Sequence, residues 1–184
     1  VYLYAIPEIH VRDMKITADF NYKNGNGIFS AELDIIGECD YSVKLTLTDL
    51  NGNKVYESDK ANVRATIPSV RPWSAEEPNL YILTAEIIAG GRIVETAETK
   101  VGFRAFELKN GLMYLNGKRI IFKGVNRHEF NAKTGRAITE EDMLWDIKFI
   151  KQNNMNAVRT SHYPNNSRWY QLCDEYGIYL IDET

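Results

Sequence analysis

The stretch GVNRHEFNAKTGR, Gly124–Arg136, decides between two folds. It completes the mostly apolar run RIIFKGVN (Arg119–Asn126) and precedes TEEDMLWDIKFIKQNN (Thr139–Asn154), which reads as a helix. A doubly wound nucleotide-binding sheet would need a glycine-rich phosphate turn after this strand, and the stretch holds neither G-x-G-x-x-G nor a P-loop. A (β/α)₈ barrel instead places polar side chains beyond the carboxyl end of each strand, where barrel active sites lie. Asn126, Arg127, His128 and Glu129 stand there.

The same alternation continues to the end of the chain. Thr139 suits an N-cap, with Asp142 at N3 as a capping-box partner. Met143, Ile147 and Ile150 fall on one helical face. NAVRTSH (Asn156–His162) is a second buried strand, ending in Arg159 and His162. NNSRWYQLCDEYG (Asn165–Gly177) places Trp169, Leu172, Cys173 and Tyr176 at i, i+3, i+4 and i+7, with Gly177 as the stop. GIYLIDET supplies a third strand followed by Asp182 and Glu183. Two of the chain's three histidines therefore sit at strand ends. Trp145 and Trp169 read as helix packing residues.

Residues before about Phe103 follow period two. Val43, Leu45 and Leu47 alternate with Lys44, Thr46 and Thr48, and Tyr81, Leu83, Ala85 and Ile87 repeat the pattern. The opening VYLYAIPEIHV also reads as strand, with His10 on its surface. Asn51-Gly52 predicts a type I′ hairpin turn, Gly90-Gly91 another turn, and Asn110-Gly111 with Asn116-Gly117 bracket a short hairpin over LMYL. Regular short strands without a helix predict an immunoglobulin-like antiparallel sandwich. The expected organisation is a sandwich over 1–103, with Trp73 in its core, and the start of an incomplete (β/α)₈ barrel over 104–184.

Composition narrows the function. With 22 basic and 25 acidic residues the net charge is −3, and no basic track marks a nucleic-acid partner. No apolar run approaches the roughly 20 residues that span a bilayer. Cys39 and Cys173 lie far apart without metal-ligand spacing to a second Cys or His, so neither zinc nor a disulfide framework is indicated, and a cytoplasmic location is expected. A chain that begins in strand and stops just after one reads as a piece of a longer polypeptide.

GVNRHEF, NNMNAVRTSHYPN and LCDEYGIYLIDE, with PWSAEEPNLY and VGFR, closely resemble the family 2 glycoside hydrolases, and the first two resemble its bacterial galactosidase branch most. The resemblance implies a retaining glycosidase of jelly roll, sandwich and (β/α)₈ barrel, of which this chain is the sandwich plus three barrel strands and two helices. It implies terminal β-galactosides such as lactose as substrate, Mg²⁺ with Na⁺ as a second candidate ion, and a homo-oligomeric parent. Its two catalytic glutamates follow the fourth and seventh barrel strands, beyond Thr184, so the chain alone is expected to be inactive and to carry no catalytic residue or metal ligand. By motif position, His128 and His162 match the two histidines around the galactosyl ring. Arg159 matches an arginine close to the nucleophile, and Asn126 stands at the strand mouth beside them. Glu129 and Asp182 are assigned as supports. Within the family the rivals are β-glucuronidase and β-mannosidase; outside it, a non-catalytic carbohydrate-binding sandwich.

Overall fold

The computed structural model describes residues 3–183. The chain forms two compact units. One runs to Arg71 and resumes over Leu80–Ala105; the other takes Pro72–Asn79 and the chain from Phe106 onward.

The first unit is a two-sheet antiparallel sandwich. One sheet orders β1 (His10–Asn21), β2 (Asn26–Ile36) and β5 (Asn62–Ile67) as β1-β2-β5. The other orders β4 (Lys54–Ser58), β3 (Ser42–Asp49), β6 (Tyr81–Ala89) and β7 (Arg92–Val101) as β4-β3-β6-β7. The alternating residues of β3 and β6 all point inward: Val43, Leu45, Leu47, Tyr81, Leu83, Ala85 and Ile87 are buried with Phe29 of β2 and with Phe103. Each such large side chain contributes about 1.5–3 kcal/mol by leaving water. The Phe103 ring meets Tyr81 edge-on at 5.2 Å between centroids.

Two details depart from the expectation. Residues 3–9 are irregular and the first strand starts at His10, whose Nδ1 lies 2.9 Å from the Pro7 carbonyl; the expectation for Val1 and Tyr2 falls outside the described residues. The β3–β4 connection is a four-residue loop, and only Gly52 has positive φ, at 83°. Asp49 prevents the type I′ geometry. Its carboxylate accepts the backbone N–H of Asn51 and Asn53 at 2.9 Å each, the local turn that a leading Asp favours. The Asn53 side-chain amide, which donates to Asp49 Oδ2 at 2.9 Å, and then these backbone bonds hold the Asp49 carboxyl below the usual range.

The second unit opens with an antiparallel meander of β8 (Phe106–Lys109), β9 (Leu112–Leu115) and β10 (Lys118–Arg119). Both Asn-Gly turns have the paired positive φ of type I′: 52° and 74° at Asn110-Gly111, 52° and 77° at Asn116-Gly117. Three parallel strands follow in the order β11 (Gly124–Arg127), β12 (Ala157–Thr160), β13 (Tyr179–Ile181), connected by α1 (Glu140–Gln152) and α2 (Ser167–Tyr176). The strand expected over Arg119–Asn126 is shorter because β10 takes Arg119, and Asn156 binds the segment between. Its side chain accepts the Lys123 N–H at 2.8 Å and donates to the Ile121 carbonyl at 3.1 Å.

The helices follow their sequence signals. Thr139 and Asp142 close a capping box, and Met143, Ile147 and Ile150 are buried against Val158, Trp169, Leu172 and Cys173. Tyr176 stays exposed. Gly177 ends α2 at φ 71°.

The expectations for Trp145 and Trp73 need correction. Trp145 is 65% exposed and stacks on Phe149 at 5.4 Å, since both lie opposite the Met143–Ile147–Ile150 stripe. Trp73 is buried in the second unit, not in the sandwich core. It meets Tyr179 edge-on at 5.7 Å and donates through Nε1 to the Asp174 carbonyl at 2.8 Å. Pro72 and Pro78, which cannot donate to a ladder, take RPWSAEEP out of the sandwich strands, and Lys151 then caps the Ala75 carbonyl at 2.9 Å.

Candidate functional site

Parallel pairing sets which side chains share a face. Asn126, Arg159 and Ile181 lie abreast, as do Arg127 and Thr160. Since side chains alternate along a strand, Asn126 and Arg159 project to one face of the sheet and Arg127 and Thr160 to the other. Glu183, two residues beyond Ile181, returns to the Arg159 face. Asp182 does not.

The contacts follow that division. Arg159 donates to Asn126 Oδ1 at 3.2 Å and to Glu183 Oε1 at 2.5 Å. His162 Nδ1 lies 3.0 Å from Glu183 Oε2 and 3.3 Å from Arg159 Nη2. The His128 ring meets His162 edge-on with centroids 5.4 Å apart. The peptide between Ser161 and His162 is cis. The cluster is open to solvent: the His162 side chain is 63% exposed, and those of Arg159 and Glu183 about half as much, at 33% and 30%. Arg159 first, and His162 after it, hold the Glu183 carboxyl below the ordinary glutamate range. Two imidazoles, an amide and a neutralised guanidinium thus present donors and acceptors from one surface, a set suited to a polyhydroxyl ligand.

The opposite face carries structural polar groups. Asp182 accepts from Thr160 Oγ1 at 2.9 Å and from Tyr170 OH at 2.8 Å. It tethers β13 to β12 and α2, and the structure does not bring it to the Arg159 cluster. Arg127 is buried, with its guanidinium carbon 3.7 Å from the Trp169 ring centroid. It donates to Asp146 Oδ2 and to Asn165 Oδ1, both at 2.8 Å. Glu129 accepts the Asn166 N–H at 2.9 Å and lies 3.7 Å from Arg127, while its own N–H donates to Tyr163 OH at 3.2 Å. These bonds fasten the loop after β11 to the loop after β12, which sets His128 beside His162. Glu129 therefore acts through loop geometry, and its carboxylate is held away from the open face.

Arg127 and Glu183 were not singled out from sequence as a buried brace and a cluster member. Counting by twos from Asn126 and Ile181 would have separated both from their neighbours. Among the described residues no three His, Cys, Asp or Glu side chains converge on a common point, and a cation at Glu183 would displace the Arg159 guanidinium from its carboxylate. No helix among the described residues is long and apolar enough to cross a membrane.

Comparison with known proteins agrees with this geometry. The model described as "Glycosyl hydrolases family 2" matches residues 9–104, and "Glycosyl hydrolases family 2, TIM barrel domain" matches residues 106–184. A protein named beta-galactosidase from Streptococcus thermophilus is 53% identical over the whole of this chain, which covers 18% of that protein. One of the same name from Clostridium acetobutylicum is 54% identical, again over the whole chain and 21% of its own length. The chain thus spans about a fifth of the relatives it matches. Among solved structures, a β-glucuronidase from Ruminococcus gnavus in complex with C6-substituted uronic isofagomine superposes with TM-score 0.90 at 28% identity, covering 98% of this chain and 30% of that one. An antiparallel sandwich and the opening strands of a parallel barrel, each matched by its own family model, place this chain in glycosyl hydrolases family 2.

Proposed function

We propose that the whole protein is a retaining β-galactosidase that releases terminal β-D-galactose from glycosides such as lactose. The supporting observation is the convergence of Asn126, His128, Arg159 and His162 at the carboxyl ends of β11 and β12, in a chain about half identical to proteins named beta-galactosidase. In this reading His128 and His162 hydrogen-bond sugar hydroxyls, and Asn126 and Arg159 complete the wall. By the family resemblance, Arg159 stands close to the nucleophilic carboxylate.

Retention requires two carboxyl groups about 5–5.5 Å apart, one acid/base and one nucleophile. Glu183 is occupied by Arg159 and His162, and Glu129 by Asn166 and Arg127. By the family resemblance the catalytic pair is assigned to later barrel strands, outside these 184 residues, and the chain by itself is read as a binding wall without turnover. The glucuronidase alternative is not favoured: the Ruminococcus gnavus β-glucuronidase is 28% identical, against 53% and 54% for the galactosidases. Two cysteines without a disulfide, Cys39 exposed and Cys173 buried, fit a cytoplasmic protein.

The test is turnover by the full-length protein on nitrophenyl β-galactoside, β-glucuronide and β-mannoside. The galactoside is expected to lead by at least about 100-fold in kcat/KM, on the order of 2.7 kcal/mol in the transition state. A preference for the glucuronide or mannoside would move the assignment within the family. Absence of turnover with any of the three would favour a non-catalytic binding protein.

A further inference from the structure

Glu183 makes contacts that a merely structural strand-end carboxylate does not need. Its two oxygens are divided between two groups of the open face: Oε1 takes Arg159 Nη2 at 2.5 Å, and Oε2 lies 3.0 Å from His162 Nδ1. That nitrogen also lies 3.3 Å from Arg159 Nη2. The two neighbours demand opposite states of Nδ1. A guanidinium only donates, so a bond from Arg159 requires a bare Nδ1. A carboxylate only accepts, so a bond to Glu183 requires Nδ1–H.

Three observations decide between them. The carboxylate is the nearer neighbour. Arg159 Nη2 already has its short partner in Glu183 itself. A bare Nδ1 would also set its lone pair against a carboxylate oxygen at 3.0 Å, with no proton between. We propose that Glu183 is a positioning residue that holds His162 as the Nδ1–H tautomer, so that Nε2 faces the open site as a hydrogen-bond acceptor for a sugar hydroxyl. The second nitrogen of a histidine commonly sets the role of the first in this way. Glu183 also fixes Arg159 with its other oxygen, so one carboxylate orients both an acceptor and a donor toward the ligand. The proposal rests on the reading of this face as a glycoside-binding wall.

Glutamine at position 183 gives a sharp test, because its amide has one acceptor and one donor end. The oxygen must face the Arg159 guanidinium, which leaves the NH₂ toward His162. Nδ1 must then accept, and the proton moves to Nε2. The tautomer is expected to invert in Glu183→Gln.

The first measurement is ¹⁵N spectroscopy of histidine-labelled 184-residue chain, well above the ordinary imidazole pKa of about 6.5, with the His162 signal assigned by its loss in His162→Ala. Wild type is expected to show a protonated, pyrrole-type Nδ1 and a pyridine-type Nε2, and Glu183→Gln the reverse. A pyridine-type Nδ1 in wild type overturns the proposal without any variant, as does an unchanged tautomer in Glu183→Gln. The second measurement is kinetics of the full-length protein on nitrophenyl β-galactoside. Glu183→Gln is expected to lower kcat/KM at least fivefold at a temperature at which both proteins remain folded; a smaller loss overturns the positioning role. If the wild-type full-length protein turns over no glycoside, the functional reading fails, while the spectroscopic result still decides what Glu183 does to His162.

Discussion

Asp182 and Glu183, neighbours in the chain, serve opposite faces of the parallel sheet. Asp182 accepts from Thr160 and Tyr170 on the helix side, whereas Glu183 binds Arg159 and His162 on the open side. Two acidic residues side by side therefore have separable consequences. Asp182→Ala removes an acceptor from the buried Thr160 hydroxyl and from the Tyr170 phenol, and should cost about 1–3 kcal/mol of stability. It should leave the His162 tautomer in place. Glu183 behaves differently with pH. Its carboxyl is held below the ordinary value, so its contribution is present above an unfolded pKa of about 4.3 and is lost as pH falls through the lowered folded value. Denaturant unfolding of Glu183→Gln and wild type across that acid range should converge as pH falls.

Arg127 is expected to be irreplaceable by lysine. Its guanidinium reaches Asp146 and Asn165 while its carbon lies 3.7 Å from the Trp169 ring centroid. A single ammonium cannot make both bonds and the ring contact at once. Arg127→Lys should destabilise by about 2 kcal/mol, the scale of a lost charge-assisted hydrogen bond, measured by urea unfolding. A loss below about 0.5 kcal/mol would mean that the network is not the brace it resembles.

The sequence made the strand ends legible but not the side to which each residue turns. Val43, Leu45 and Leu47 announce the sandwich because water on one face forces alternation, and Met143, Ile147 and Ile150 announce a helix for the same reason. The parallel strands read in sequence as short, near-continuous apolar runs, so hydrophobicity carries no alternation there. Asn126, Arg127, His128 and Glu129 thus read as one polar group, although Arg127 turns into the helix layer. The same loss of signal joined Asp182 to the site and left Glu183 beside it. Trp73 was misplaced for another reason: a segment returned to a different unit by Pro72 and Pro78 leaves no mark in local periodicity.

Cys173 supplies a prediction on the alkaline side. Burial pushes its thiol up to about 12. An unfolded thiol ionises near 8.5, so between those values the folded state retains a proton that the unfolded state has lost. Stability should then fall with rising pH, by about 1.4 kcal/mol per pH unit from this group. Cys173→Ala should lack that component in urea titrations between roughly pH 8.5 and 10.5. In the native chain near pH 8 a thiol reagent should modify exposed Cys39 and spare Cys173 until denaturant is added.

Gly177 should resist substitution more than a helix stop ordinarily does. It sits at φ 71°, and a Cβ there would meet the Ala75 carbonyl oxygen at 2.4 Å. The left-handed conformation alone costs a non-glycine residue about 1–2 kcal/mol, and the clash adds to it. Gly177→Ala is therefore expected to lose more than about 2 kcal/mol, and a loss below 1 kcal/mol would show that the Pro72–Asn79 segment yields readily.

The central claim is that the open face of β11 and β12 binds the sugar during turnover, and kcat/KM of the full-length His162→Ala variant on nitrophenyl β-galactoside tests it most directly. Loss of an oriented hydrogen-bonding group at a reacting sugar should cost on the order of 2–4 kcal/mol of transition-state stabilisation, a decrease of roughly 30- to 1,000-fold. A decrease below about threefold, in a variant that retains the wild-type melting temperature, would contradict it.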